Sequence, residues 1–170
     1  MTSLTEHTMA IAEILKARGE TVAVAETSAG GLVSAQLLAV PGASAYFMGG
    51  GVLYTGDARE GLAGITEADI TGMRSSSEPY AELLAKTMRE KLGTTWGLAE
   101  TGAAGPSGNR YGDNAGHTCV AVSGPISMVQ TLETGDDDRS KNMWLFSHQA
   151  LALFRTCLTS APMEQISGIT

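Results

Sequence analysis

The stretch Thr21-Val22-Ala23-Val24-Ala25, then Glu26-Thr27-Ser28-Ala29-Gly30-Gly31, then Leu32 to Val40, decides the fold. The first five residues are a β-type run, the next six a turn of small residues, and the last nine a helix closed by Pro41-Gly42. Upstream, Thr8 to Arg18 carries apolar side chains at helical spacing and stops at Gly19. Downstream, Gly49-Gly50-Gly51 precedes Val52-Leu53-Tyr54, which predicts a strand over those last residues. Asp57 to Ala63 and Thr66 to Met73 predict short helices. Ser77-Glu78-Pro79 opens a longer one through about Leu92, with a hydroxyl at the N-cap and proline in the first turn.

Thr94 to Thr101, Thr118 to Val122 and Ser127 to Glu133 predict strands, the first two separated by a glycine-rich loop over 102–116. Asp136-Asp137-Asp138 stands at the start of a final helix through about Leu158, where negative charge complements the helix dipole. The last dozen residues are expected to fray. Helices alternate with short strands without repeats or linkers. That order predicts one α/β domain, a three-layer α/β/α sandwich with a mostly parallel or mixed sheet, its core over about 8–158 of 1–170. Ligands bind such sheets at the carboxyl ends of the strands.

Composition narrows the function. The chain has 170 residues, 43% hydrophobic and 17% charged, enough for a sizeable core without disulfides or metals. Eleven Lys and Arg against 18 Asp and Glu give a net charge of −7, which repels a phosphate backbone and argues against nucleic acid as a partner. One phosphate in a local pocket remains compatible with that charge. Apolar runs are too short for a membrane span. Cys119 and Cys157 lack metal-type spacing, the three histidines are scattered, and no secretory pattern stands at the N-terminus. Two reduced thiols in a cytoplasmic protein, with no metal site, are expected.

Three glycine-rich turns follow predicted strands: Glu26 to Gly31, Tyr54-Thr55-Gly56-Asp57-Ala58-Arg59, and Thr101-Gly102-Ala103-Ala104-Gly105-Pro106. Each offers backbone N–H groups and hydroxyls to an anion, or else serves only as tight turn and helix cap. In this order and spacing they resemble the C-terminal domain of CinA, the nicotinamide-mononucleotide deamidase family. The family pattern runs A-E-S-C-T-G-G, P-G-S-S, G-x-V-x-Y-S-N-x-A-K, V-S-E and T-G-I-A-G-P-x-G. Here the matching residues are Ala25 to Gly31, Pro41-Gly42-Ala43-Ser44, Gly50 to Arg59, Ser77-Glu78, and Thr101 to Pro106.

The resemblance implies hydrolysis of the carboxamide of nicotinamide mononucleotide to nicotinate mononucleotide and ammonia, without a cofactor, in a homo-oligomer. It implies a serine in the first turn as nucleophile, a lysine closing the tyrosine motif as its base, and an oxyanion held by N–H groups near Gly30 and Gly31. In this chain the nucleophile position is Thr27 and the lysine position Arg59. Threonine keeps the hydroxyl but its β-branch crowds the approach. A guanidinium holds an anion and does not deprotonate. Two readings follow: a weakened amidohydrolase, or a homologue that binds a pyridine nucleotide or another small phosphorylated ligand without cleaving it. A variant of the first uses Ser28 as nucleophile with Glu26 as base.

Among the remaining candidates, Tyr54 either stacks on a nicotinamide ring or is a half-buried strand tyrosine. Thr101, Gly102, Ala104 and Gly105 hold a phosphate or ribose, or simply form a turn. Arg139, at an arginine position of the family, grips a phosphate or pairs with Asp136 to Asp138. His117 is read as structural or solvent-facing, and Trp96 and Trp144 as core anchors. Restoring Thr27→Ser with Arg59→Lys is expected to raise the hydrolytic rate.

Overall fold

The computed structural model describes residues 4–162, with side chains from Glu6 onward. Its elements are α1 (Leu4–Arg18), β1 (Val22–Glu26), α2 (Leu32–Leu38), β2 (Phe47–Val52), α3 (Gly56–Ala58), α4 (Glu78–Leu92), β3 (Trp96–Ala103), β4 (His117–Ser123), β5 (Met128–Glu133) and α5 (Arg139–Ser160). The five strands form one sheet in the order β2-β1-β3-β4-β5. β1 pairs in parallel with β2 and β3, whereas β3–β4 and β4–β5 are antiparallel, so the sheet is mixed.

Alternation along the three central strands sorts the side chains by size. Val22, Val24, Trp96, Leu98, Val120 and Val122 pack with α1, α2 and α5. Ala23, Ala25, Ala99, Cys119 and Ala121 face α4, which contributes Ala81, Leu84, Ala85 and Met88. The small side lets one helix lie close to the strands. A Cβ on Gly97 would stand 2.0 Å from the Ala85 carbonyl oxygen, so no other residue fits there without moving the helix. Trp96 is fully buried and meets Phe154 edge-on at 5.8 Å, whereas Trp144 is 45% exposed and anchors nothing in the core.

Four elements depart from the sequence reading. The second strand runs over Phe47–Val52, earlier than the predicted residues, and takes in the triple glycine. The reason is proximity: a Cβ on Gly50 would meet the Ser34 Oγ at 2.8 Å and the Val24 carbonyl at 3.2 Å. Beyond α3, Arg59–Ala63 winds as a single π-helical turn, and the predicted helix over Thr66 to Met73 shrinks to the 3-10 turn Ala68–Ile70. There the Asp69 carboxylate accepts from both the amide and the hydroxyl of Thr66, 2.8 Å each, closing the chain locally. The helix α5 continues past its predicted end to Ser160, with Asp138 as its N-cap, so the first two of the last dozen residues, expected to fray, are helical, and 163–170 lie outside the described residues.

Candidate functional site

β1 connects outward to β2 on one side, and the chain then crosses to β3 on the other. The crevice therefore opens beyond the carboxyl ends of β1 and β3, where β3 runs past its last β1 pairing at Ala99. The turn Thr27 to Gly31 emerges there, clamped between two glutamates that are both 0% exposed. Glu26 and Glu100 continue the large-residue rows of their strands, at the positions after Val24 and Leu98.

Glu26 is committed to the start of α2. Its carboxylate accepts from the amides of Gly31 (3.1 Å), Val33 (2.8 Å) and Ser34 (3.0 Å) and from the Ser34 hydroxyl (2.7 Å). Ser28 is not among these four donors, so Glu26 is not placed as its base. The Gly30 amide donates to the Thr27 carbonyl at 3.2 Å. The amides of Gly30 and Gly31, expected to hold an oxyanion, are thus consumed inside the turn, and neither glycine lines a cavity of the site.

Glu100 was not singled out by the sequence. Its carboxylate accepts from the amides of Thr27 (3.1 Å) and Ala29 (2.8 Å), from the Thr118 hydroxyl (3.1 Å), and from the Ser28 hydroxyl in a short contact. Burial pushes this carboxyl above the usual carboxylate range, against the lowering effect of the Ser28, Ala29 and Thr27 hydrogen bonds. The signal available in the sequence was a charged residue continuing the buried row Trp96, Leu98 on a central strand.

Two adjoining cavities share Tyr54 and Gly102 as common wall. The first, about 210 Å³, is lined by Thr27, Arg59, Ser76, Tyr80 and Thr101 among others. The second, about 220 Å³, is lined by Ser28, Ala104, Gly105, Asn109 and Arg139 among others. Together they fall within the ~300–1,000 Å³ of small-ligand sites.

In the first cavity the Thr27 hydroxyl has no hydrogen-bond partner among the described residues. Arg59 is buried, donating from Nε to the Ile65 carbonyl at 3.0 Å and from its terminal nitrogen to Glu67 at 2.6 Å. The Glu67 hydrogen bond raises its pKa, so the guanidinium stays charged and already carries a counter-ion. Thr101 accepts from the Ser76 amide at 3.3 Å. His117, buried rather than solvent-facing, bridges the Ser76 carbonyl (Nε2, 2.8 Å) and the Glu133 carboxylate (Nδ1, 2.5 Å). Burial works against its charge, but the Glu133 and Ser76 hydrogen bonds outweigh it and raise the pKa.

In the second cavity Arg139 donates to the Gly105 carbonyl at 2.6 Å and to the Tyr54 hydroxyl at 3.1 Å. The expected pairing with Asp136 to Asp138 does not form: Asp136 takes Lys141 instead, and among the described residues no carboxylate pairs with Arg139. Asn142, fully buried, donates to the carbonyls of Ala104 and Asp136 at 2.8 Å each, tying this wall to α5. Tyr54 is 59% exposed, more than a half-buried strand tyrosine, and follows the strand rather than lying in it.

A family model described as the CinA C-terminal domain matches residues 4–158. The chain belongs to the CinA C-terminal domain family. A CinA-like protein of Myxococcus xanthus is 37% identical over 155 residues, covering 89% of this chain and 36% of that protein. A CinA-like protein of Synechocystis is 37% identical over 154 residues, covering 89% and 37% respectively. The chain thus spans about a third of the length of the curated relatives it matches. Among solved structures, the competence damage-inducible protein A of Klebsiella pneumoniae superposes with a TM-score of 0.87 at 22% identity, over 94% of this chain and 99% of that one. A CinA superfamily protein from another Klebsiella pneumoniae strain gives 0.85 at 23%, over 92% and 98%. These structures share the CinA fold seen here. Among the described residues no helix is long and apolar enough to cross a membrane.

Proposed function

We propose that the two cavities form one nicotinamide-nucleotide site and that the protein hydrolyses the carboxamide of nicotinamide mononucleotide to nicotinate mononucleotide and ammonia. The observation that carries this reading is Arg139, a guanidinium without a carboxylate partner among the described residues, at a cavity that also holds a hydroxyl side chain. Arg139 suits the phosphate bidentately, and Tyr54, exposed on the shared wall, suits the pyridine ring. The carboxamide then lies toward the turn that carries Thr27 and Ser28. Arg59 supplies no base, because its guanidinium keeps its proton. Turnover is accordingly expected to be slower than in a relative with serine and lysine at positions 27 and 59.

Ammonia release from nicotinamide mononucleotide, measured beside calorimetric binding of the same nucleotide, tests the reading. Release together with binding is the expected result. Binding without release leaves a ligand-binding homologue, and neither leaves the family fold without this substrate.

A further inference from the structure

Two hydroxyls stand side by side at the crevice, and only one has a base. The Thr27 hydroxyl, at the family's nucleophile position, has no hydrogen-bond partner among the described residues. The Ser28 hydroxyl donates to the Glu100 carboxylate, and Ser28 lines the cavity that holds Arg139. Three further donors, the amides of Thr27 and Ala29 and the hydroxyl of Thr118, fix that carboxylate on its own strand. A fully buried carboxylate aimed at a cavity-lining hydroxyl is an arrangement that activates the hydroxyl. Glu26 is excluded because its donors are the amides of Gly31, Val33 and Ser34 and the Ser34 hydroxyl, and Ser28 is not among them.

We infer that Ser28 and Glu100 form the nucleophile and general base of this protein, in place of residues 27 and 59. The inference rests on the amidohydrolase reading above. In the forward step the Ser28 Oγ bonds to the carboxamide carbon while its proton passes to Glu100. The tetrahedral intermediate then breaks its C–N bond, and Glu100 returns the proton to the departing nitrogen, which leaves as ammonia. A water molecule attacks the resulting ester, giving its proton to Glu100. The ester C–O bond breaks, Oγ regains the proton, and the carboxylate product is released.

An alkyl fluorophosphonate tests the pair without relying on the natural substrate. Attack by Oγ forms a phosphorus–oxygen bond and expels fluoride, and the proton goes to Glu100. Peptide mass mapping of the full chain should place the adduct on Ser28. Glu100→Gln should slow labelling about a hundredfold or more, in the range of a lost general base. For the wild type, labelling should slow as pH falls through the raised pKa of Glu100, a dependence that a merely structural glutamate does not impose. An adduct on Thr27, no adduct, or a rate unchanged in a folded Glu100→Gln protein overturns the pair. If that variant does not fold, Glu100→Asp, which keeps the carboxylate but shortens its reach to Ser28, should still slow labelling, and an unchanged rate in that variant overturns the pair instead. Nicotinamide mononucleotide should protect Ser28 from the probe. Labelling at Ser28 that ignores the nucleotide leaves the pair standing and overturns the substrate.

Discussion

The two cavities differ in what their charges and hydroxyls are free to do. On the α4 side Arg59 is buried, paired with Glu67 and bonded to a backbone carbonyl, while the Thr27 hydroxyl has no partner. On the α5 side Arg139 lacks a carboxylate partner among the described residues, while the Ser28 hydroxyl rests on Glu100. Cation and hydroxyl have exchanged states between the two. A charge already neutralised contributes little to an incoming anion, and a hydroxyl without a base is a weak nucleophile. Identical residue types therefore say less about a site than the partners each one has already taken.

One turn serves both cavities, through Thr27 and Ser28, and the largest predicted effect breaks that turn. Glu26→Ala strands four donors at the start of α2 and should lower the unfolding free energy by about 3 kcal/mol or more. Urea denaturation would read this as a lower midpoint at unchanged slope; an unshifted midpoint would show that the turn stands without the carboxylate.

Next in size, Arg139→Ala should weaken nicotinamide mononucleotide binding about ten- to a hundredfold, the range of a lost charge-assisted hydrogen bond. Calorimetry that finds the affinity intact would remove the α5-side cavity from the phosphate site.

The smallest effect concerns the α4-side wall, where His117 holds the Ser76 carbonyl. Its pKa in the fold is raised, so the stability it adds is complete below the ordinary histidine value of ~6.5 and is lost as pH rises through the folded value. The stability difference between wild type and His117→Gln should accordingly be largest near about pH 6 and shrink toward about pH 9. A difference that does not vary over that interval would mean the ring is neutral while bridging Ser76 and Glu133.

Much of the fold was legible because its deciding signal is local. The strand read over Thr21 to Ala25 forms as Val22–Glu26, the helix read over Leu32 to Val40 forms as the shorter Leu32–Leu38, and Ser77 and Gly93 mark the ends of α4 as their chemistry demands. The strand β2 was placed late because Val52-Leu53-Tyr54 carries the β-type side chains, and the need for Gly50 lies in Ser34 and Val24, distant in sequence. Glu100 escaped for the same reason. Its partners Thr27, Ser28, Ala29 and Thr118 come from another strand's turn and a neighbouring strand, so nothing beside it in the chain announces the contact. Arg59 and Thr27 were recognisable as departures from the family, but the ion pair that ties up Arg59 required Glu67 to be seen in space.

The close fit of α4 against the small-residue side of the sheet has a consequence for how this chain can drift. Ala23, Ala25, Gly97, Ala99 and Ala121 sit where anything larger would lift the helix, and the N-terminal end of that helix leads from Ser76 and carries Tyr80, both facing the α4-side cavity. Mutations that enlarge this side reach the cavity through the helix, whereas the opposite side packs against three helices. One face of the sheet ends in the two glutamates that hold the turn, and the other is packed with small residues beneath the helix that reaches the pocket.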